Sequence, residues 1–319
     1  MSDTAQNTEG RRKLGPTAIT GLVSTVIALM LLAFLAPAIN SGAHDIPLAV
    51  SAPEPVKASM TQKIEKSGAF TVVDASSPED AEDTVKNREA VGAVAASPTG
   101  TTITIASGAG APYAAALNGM ATQLTAEGQD VTVNDVAPMT SEDPQGVGLS
   151  SALLPLIFGG MASAVLLATQ LKSAGKRTLG AVGVAVLGGL IAAAILQPWF
   201  HAVDGSFWLL WSGPTLGILA ISSTVLGLFS VLGFAGLGIG TVLMLFVSNP
   251  LSGFAAGPQW LPAGWGTFGQ LMPVGAAGTF LRSAAYFDGS GLGMSPWVLM
   301  AWIVAGLALT AIGARRQKA

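Results

Sequence analysis

The sequence of 319 residues contains no cysteine. Disulfide bridges, thiolate metal sites and cysteine nucleophiles are therefore excluded together. Histidine is also scarce, with only His44 and His201 in the whole chain. Each has an aspartate within three residues, but the two pairs are far apart in sequence, which favours interfacial polar residues over a zinc site. We expect neither a metal nor any other cofactor.

A nucleotide-binding loop is missing as well. A Walker A loop requires Gly-x-x-x-x-Gly-Lys-Ser/Thr, so that backbone amides surround the phosphates and the lysine reaches them. The nearest candidate, at Gly175 and Lys176, has Gln170 in place of the first glycine and Arg177 in place of Ser or Thr. The glycine-rich run 236–240 lies in an apolar window without a preceding strand, which favours helix packing over dinucleotide binding. We expect no ATP hydrolysis, and no nucleophile or acid-base cluster suggests an enzyme.

Charged residues make up only 10% of the chain, whereas hydrophobic residues make up 50%. A soluble domain has about a quarter of its residues charged. Six windows are long and apolar enough to cross a bilayer core of about 30 Å, although the fifth is rich in glycine. The windows cover residues 16–39, 150–171, 178–196, 207–229, 232–247 and 296–313. We predict an α-helical polytopic membrane protein with six spans.

The orientation follows from three basic clusters beside the ends of these windows. The clusters are Arg11, Arg12 and Lys13; Lys172, Lys176 and Arg177; and Arg315, Arg316 and Lys318. Six spans place all three on one side, which the positive-inside rule makes cytoplasmic. The tails 1–15 and 314–319 are then cytoplasmic, and residues 40–149 lie outside. A signal peptide cleaved near Ala38 is the alternative for the first window, but its length favours an uncleaved anchor.

Residues 40–149 change to short segments of alternating character. Their order, β-α-β-α-β-β-α-β, predicts an extracytoplasmic α/β domain inserted between the first and second spans. Residues Ser77, Pro78 and Glu79 have the features of a helix start. Between residues 42 and 148 there are five Lys and Arg but fourteen Asp and Glu, a difference of nine negative charges. Such an acidic surface disfavours nucleic acid as a partner.

Residues 248–295 are too apolar for a solvated loop and too rich in proline and glycine for a spanning helix. Non-helical backbone at membrane depth must be buried in protein or line a cavity. We therefore predict, after the first span and the outer domain, a five-helix membrane domain over residues 150–313 with a re-entrant outer segment at 248–295. The landmarks of this segment are Asn249, Pro250, Gly253, Pro262, Pro273 and Arg282.

A span, an outer domain of this element order, five further spans, and the motifs Asn-Pro-x-Ser-Gly, Leu-Pro and Leu-x-Pro before an arginine resemble the permease subunits of type-2 ABC exporters. Within them the chain is most similar to the phage-infection-protein (Pip) like branch, over nearly its whole length. The resemblance implies a multi-pass protein of the bacterial plasma membrane that exports a hydrophobic or amphipathic substrate, such as a lipid, a drug or a cell-envelope precursor. It also implies a homodimer, or a heterodimer with a similar permease, that contacts membrane lipids and is driven by a cytoplasmic ABC ATPase subunit.

The spans after the first carry no ionisable side chain in their interior, whereas ion-driven carriers usually do. An external energy source is therefore favoured over an ion gradient. The connection that carries Lys172, Lys176 and Arg177 is the charged link between two spans. Topology alone explains its charge, and the resemblance implies that it also docks the ATPase.

Two further polar features lie within or beside the membrane. Arg282 is expected either to snorkel at the interface or to contact a lipid head group or Asp288 along the exit path. A polar spot in the fourth window consists of Ser222, Ser223 and Thr224. These hydroxyls either bond to their own helix or line a cavity.

The rival function belongs to a different class. A membrane-anchored surface or receptor protein would act through the acidic outer domain and transport nothing. Association with an ATPase distinguishes the two hypotheses.

Overall fold

The structure is a computed structural model that describes residues 15–316. Arg11, Arg12, Lys13 and Lys318, which served to orient the chain, lie outside the described residues. The α-helices in chain order are α1 (Pro16–Ile39), α2 (Val56–Lys66), α3 (Pro78–Lys86), α4 (Ala111–Ala126), α5 (Val147–Gln170), α6 (Ala174–Ala194), α7 (Phe207–Leu232), α8 (Phe234–Val242), α9 (Trp265–Gln270), α10 (Pro273–Tyr286) and α11 (Ser295–Arg316). The strands are β1 (Ile46–Ser51), β2 (Phe70–Asp74), β3 (Gly92–Ser97), β4 (Gly100–Ile105) and β5 (Val131–Asp135).

Five of these helices are long and apolar enough to cross a membrane: α1, α5, α6 with its π-helical extension to Trp199, α7 and α11. The chain is thus a helical membrane protein. The fifth predicted span, 232–247, corresponds to an apolar helix but is not confirmed as a spanning helix. Leu232 ends α7, Gly233 breaks the helix with φ +63°, and α8 with its π-helical continuation covers only Phe234–Ser248. At about 1.5 Å per residue this helix is roughly 22 Å long, shorter than a bilayer core.

The segment between α1 and α5 folds into a five-stranded mixed sheet flanked by helices, which we call the sheet domain (residues 46–135). The strand order is β2-β1-β3-β4-β5, and the predicted order of strands and helices is confirmed. All neighbouring strands are parallel except β3 and β4, which are antiparallel. The predicted start of α3 is also confirmed, because the Ser77 hydroxyl accepts a hydrogen bond from the backbone N–H of Asp80 at 3.1 Å.

The two faces of the sheet are covered differently. On one face, Leu48, Val94 and Ile103 pack under α2 and α4. On the other face, Ala49, Ala93 and Val85 pack together with aromatic residues that come from the membrane part of the chain. These aromatic residues are Trp260, Tyr286 and Phe287. The sheet domain therefore completes one of its two cores with side chains from more than 100 residues further along the chain.

Helix α7 forms the centre of the membrane part and packs against α5, α6, α8, α10 and α11. Its closest partner is α11, because small residues let the two backbones approach. A Cβ added at Gly306 would lie 2.4 Å from the carbonyl carbon of Ser223, and one at Gly313 would lie 2.2 Å from the Ser230 oxygen. Small residues at helix contacts are typical of membrane bundles. Since both pairs advance in the same direction, α7 and α11 run parallel.

Between these two parallel helices the chain has to travel back. Gly236 faces Leu228 and Gly240 faces Val225, so α8 runs antiparallel to α7. Helix α10 is also antiparallel to α7, because Gly217 faces Ala277 and Gly213 faces Phe280. The end of the α8 helix meets the start of α10, where the Ser248 hydroxyl accepts from the Val274 N–H at 3.0 Å. The return path therefore has two successive parts, α8 and α10.

We predict that Gly306→Ala lowers the stability of the protein by about 1–3 kcal/mol, because the added methyl group overpacks the contact between α7 and α11. Thermal unfolding of the detergent-purified chain measures the change. Gly183→Ala is the matched control, since a Cβ at Gly183 on α6 meets nothing within 4 Å. Equal unfolding midpoints for the two variants would contradict this packing.

Candidate functional site

The sheet domain and the membrane helices enclose a cavity of about 240 Å³, which we call the junction cavity. Two arginines from distant parts of the chain line it. Arg88 follows α3 in the sheet domain, and Arg282 lies on α10. The other polar side chains that line it are Tyr113, Ser252, Gln259, Gln270 and Thr279. Among the lining residues in the described part of the chain there is no aspartate or glutamate.

Arg282 is 9% exposed and fixes the sheet domain to the membrane part. Its Nη1 donates to the carbonyl oxygens of Gly108 (3.2 Å) and Ala109 (2.8 Å), and its Nη2 donates to that of Phe254 (2.6 Å). The guanidinium carbon also lies 5.1 Å from the centre of the Phe254 ring. This geometry contradicts two predictions for Arg282, the snorkelling position at the interface and the ion pair with Asp288. The side chain is covered by the sheet domain, so it cannot reach the membrane surface.

Arg88 reaches the same cavity from the opposite side. Its backbone has φ +60°, and its half-buried side chain donates through Nη1 to the Thr279 carbonyl (3.4 Å) and the Ser283 hydroxyl (2.5 Å). The guanidinium also lies over the Phe287 ring. Burial, and secondly the charge of Arg282, lower the pKa of Arg88 to about 10. Arg88 therefore stays charged at neutral pH, close enough to Arg282 for the two cations to repel each other.

The neutral side chains of the junction cavity are held by one another. The Tyr113 hydroxyl donates to Gln259 Oε1, and burial raises the pKa of Tyr113 to about 12. The Thr279 hydroxyl donates to Gln270 Oε1 at 2.6 Å, and Gln270 Nε2 donates to the Ser252 carbonyl at 2.9 Å. These pairs keep the walls of the cavity polar without adding charge.

Residues 249–272, which we call the connecting segment, form the floor of this cavity. They contain four of the six predicted landmarks, Asn249, Pro250, Gly253 and Pro262. Asn249 and Pro250 begin a 3₁₀ turn after α8, and Gly253 follows with φ +62°. The segment then reaches the sheet domain, where the Trp260 carbonyl accepts from the Gly42 N–H at 2.9 Å. Beyond Pro262, helix α9 leads back to the start of α10. The two remaining landmarks, Pro273 and Arg282, lie in α10, which begins at Pro273.

The depth of this return is fixed by a tryptophan. The indole N–H of Trp302 on α11 donates to the Leu271 carbonyl at 2.9 Å. Trp302 lies one turn before Gly306, which packs at the middle of α7. The connecting segment thus rises to the sheet domain near Trp260 and descends to the middle of the helices near Leu271.

A second cavity of about 400 Å³, the lateral cavity, lies on the other side of the connecting segment. It is mostly apolar and lies between the end of α1, the start of α5 and the connecting segment. Its apolar walls include Phe34, Pro37, Leu153, Leu154 and Leu261. The two cavities share the wall that Ser252, Gly253, Phe254 and Gly257 form.

Only two of the three basic side chains in the predicted docking loop are exposed. Lys172 and Lys176 are exposed, but Arg177 is 9% exposed. Arg177 donates to the carbonyls of Leu171 (2.7 Å) and Ala168 (3.2 Å) and lies over the Phe229 ring. It therefore satisfies the carbonyls at the end of α5, which otherwise lack partners. The role of Arg177 in docking is corrected to a role in helix capping.

The polar spot in α7 does not line either cavity. Ser222, Ser223 and Thr224 are buried, and their hydroxyls bond to the carbonyls of Leu219 and Ala220 in their own helix. The cavity-lining interpretation is thus corrected, because the backbone of Ser223 and Thr224 packs against Gly306 of α11. In the described residues, His44 and His201 belong to no group of three side chains that could hold a metal ion.

Sequence reasoning found Arg282 but missed its partners Arg88 and Tyr113. The contacts of Arg282 with residues 108 and 109 span more than 170 positions, and no local pattern predicts them. One signal was present in the composition, because Arg88 is the single arginine in the acidic stretch 42–148.

We predict that Arg282→Ala destabilises the protein by about 1–3 kcal/mol for each carbonyl that loses its donor and finds no other. Thermal unfolding and limited proteolysis of the sheet domain measure the effect. Lys66→Ala, which removes a charge from an exposed site of the same domain, should change stability by less than about 0.5 kcal/mol. Equal proteolysis rates for the two variants would contradict the role of Arg282 at the junction.

Comparisons of the chain with protein-family models, with curated proteins and with solved structures give no match. Its function must therefore be inferred from its own residues and their geometry.

Proposed function

We propose that this chain is the permease subunit of an ABC-type exporter, which moves a hydrophobic or amphipathic molecule outward and is powered by a separate cytoplasmic ATPase. The observation that carries the proposal is the lateral cavity. It is apolar, it lies between α1 and α5, and its third wall is the non-helical connecting segment. Irregular backbone at membrane depth is typical of transport paths. A lipid chain or a similarly apolar group matches its walls.

The topology that we propose has six crossings, in which α8 and α10 together form the fifth. Parallel α7 and α11 require a return across the membrane, and both parts of that return run antiparallel to α7. This arrangement places the connection between α5 and α6 on the same side as Arg315 and Arg316. That side is the cytoplasm by the positive-inside rule, and the sheet domain is then extracytoplasmic in a bacterial plasma membrane.

The energy source that we propose is external. Helices α1, α5, α7 and α8 contain no ionisable residue, and α6 and α11 carry basic residues only in a terminal turn. The one charged residue of α10 is Arg282, which is bonded to backbone carbonyls at the junction with the sheet domain. Ion-driven carriers usually need ionisable groups near the bilayer centre. An ATPase partner would supply the energy instead. Lys172 and Lys176 are exposed where it would dock.

The proposed assembly is a dimer with a second copy or a similar chain. Helix α1 supports it, because only 6% of its apolar window is buried and its contacts are concentrated near the end that holds Phe34. The rest of its apolar surface is left for lipid or for another subunit.

One observation favours the rival class, a surface or receptor protein. A groove of about 920 Å³ lies on the sheet domain between α2 and α4 and exposes Met60, Ile64, Met120 and Leu124. A binding partner of the sheet domain would fit in this groove. Such a function requires no transport.

We predict that the double variant Lys172→Gln/Lys176→Gln lowers the recovery of an ABC ATPase in affinity purification from gentle detergent, because the exposed charges at the docking site are lost. The matched control is Arg315→Gln/Arg316→Gln, which removes two exposed charges from the same side of the membrane. Wild-type protein that never recovers an ATPase, together with normal export in a deletion strain, would favour the surface-protein function. Equal loss in both double variants would assign the effect to general charge.

The proposed topology also predicts which introduced cysteines can be labelled from outside the cell. The chain has no native cysteine that would interfere with this test. A cysteine at Thr99 in the sheet domain should react in whole cells with a membrane-impermeant thiol reagent, whereas one at Ser173 should react only after lysis. Both positions are exposed in the folded chain. Labelling of Ser173→Cys in intact cells would rule out the six-crossing arrangement.

A further inference from the structure

We propose that the junction cavity binds the phosphate group of an anionic amphipathic molecule. This inference rests on the proposed function, because it assigns the head-group class of the exported substrate. Two guanidinium groups, Arg88 and Arg282, line one cavity, and the described lining residues include no carboxylate. The volume of about 240 Å³ far exceeds the roughly 10–15 Å³ that one water requires, so a group of several atoms fits.

The charges of the two arginines are not balanced by their protein contacts. Carbonyl oxygens, a hydroxyl and aromatic rings solvate the guanidinium groups, but the described part of the chain supplies no anionic partner to either. Taking a cation out of water costs several kcal/mol unless an opposite charge compensates. A phosphate monoester, with about 1.5 to 2 negative charges, matches two guanidinium groups.

Both arginines also keep N–H groups that could donate hydrogen bonds to a phosphate. The hydrogen bonds of Arg88 within the described residues all come from Nη1, which leaves Nε and Nη2. Those of Arg282 use both N–H groups of Nη1 and one of Nη2, which leaves the Nε–H and the second Nη2–H. A guanidinium binds phosphate through two parallel N–H donors, a geometry that lysine cannot provide.

The route to the cavity favours an anion carried by a lipid over one free in solution. The acidic surface of residues 42–148 repels soluble anions. The apolar lateral cavity lies directly on the other side of the wall at Ser252 and Phe254, so apolar surface suited to lipid is adjacent to the two arginines.

The test compares ligands that differ only in the phosphate. The full-length chain, purified in detergent without any ATPase, is unfolded thermally with added phosphatidic acid, with diacylglycerol of the same acyl chains, or with inorganic phosphate. We expect phosphatidic acid to raise the unfolding midpoint and diacylglycerol to leave it nearly unchanged. This comparison uses the wild-type chain, so it stands even if a variant fails to fold.

The variant Arg88→Gln assigns the effect to the cavity. We expect it to weaken the apparent affinity for phosphatidic acid about tenfold or more, while Lys63→Gln, at an exposed site of the same domain, keeps the wild-type response. Equal midpoints with phosphatidic acid and diacylglycerol, or an undiminished response in Arg88→Gln, would overturn the site. A response to inorganic phosphate as large as that to phosphatidic acid would overturn the lipid as its source.

This outcome is independent of the docking experiment. Head-group binding is measured without the ATPase, so a failure here leaves the association through Lys172 and Lys176 untouched. Conversely, a chain that binds phosphatidic acid but never recovers an ATPase would keep the anion site and lose the exporter function.

Discussion

The connecting segment is largely irregular backbone that lies between the membrane helices and the sheet domain, and its buried polar groups have to find partners within the protein. The structure satisfies many of them with donors from several distant elements. The Arg282 guanidinium reaches the Phe254 carbonyl, and the Trp302 indole reaches the Leu271 carbonyl. Further contacts join Gln270 to Ser252, Gly42 to Trp260, and His44 to Gln259. The placement of the sheet domain, of α10 and of both cavities depends on these bonds.

Much of the architecture could be predicted from composition and periodicity. Long apolar runs predicted the five long helices, since length and hydropathy alone decide whether a helix can cross a bilayer. Strand and helix order in the sheet domain was predicted as well, because caps such as Ser77 and turns such as Pro98 to Gly100 are encoded locally. The start of the fifth predicted window was misplaced by two residues, because Leu232 ends α7 and Gly233 separates the two helices.

The contacts at the site could not be predicted from composition and periodicity, because they depend on tertiary packing. Charge counting identified Arg177 and Arg282 as basic residues beside the membrane, but exposure was assumed for both. Each is buried and donates to backbone carbonyls, one at the end of α5 and the other at the junction with the sheet domain. Whether an arginine faces water or a carbonyl depends on tertiary packing, and so does the meeting of Arg88 with Arg282.

The parallel contact between α7 and α11 also constrains how the protein is made. Helix α7 buries much of its surface in the fold, yet one of its faces, at Ser223 and Gly227, has its partner in α11, which leaves the ribosome after α7. The membrane insertion machinery therefore meets a chain whose central helix stays partly uncovered until α11 has been made. Nascent chains that stop before α11 expose that small-residue face to lipid.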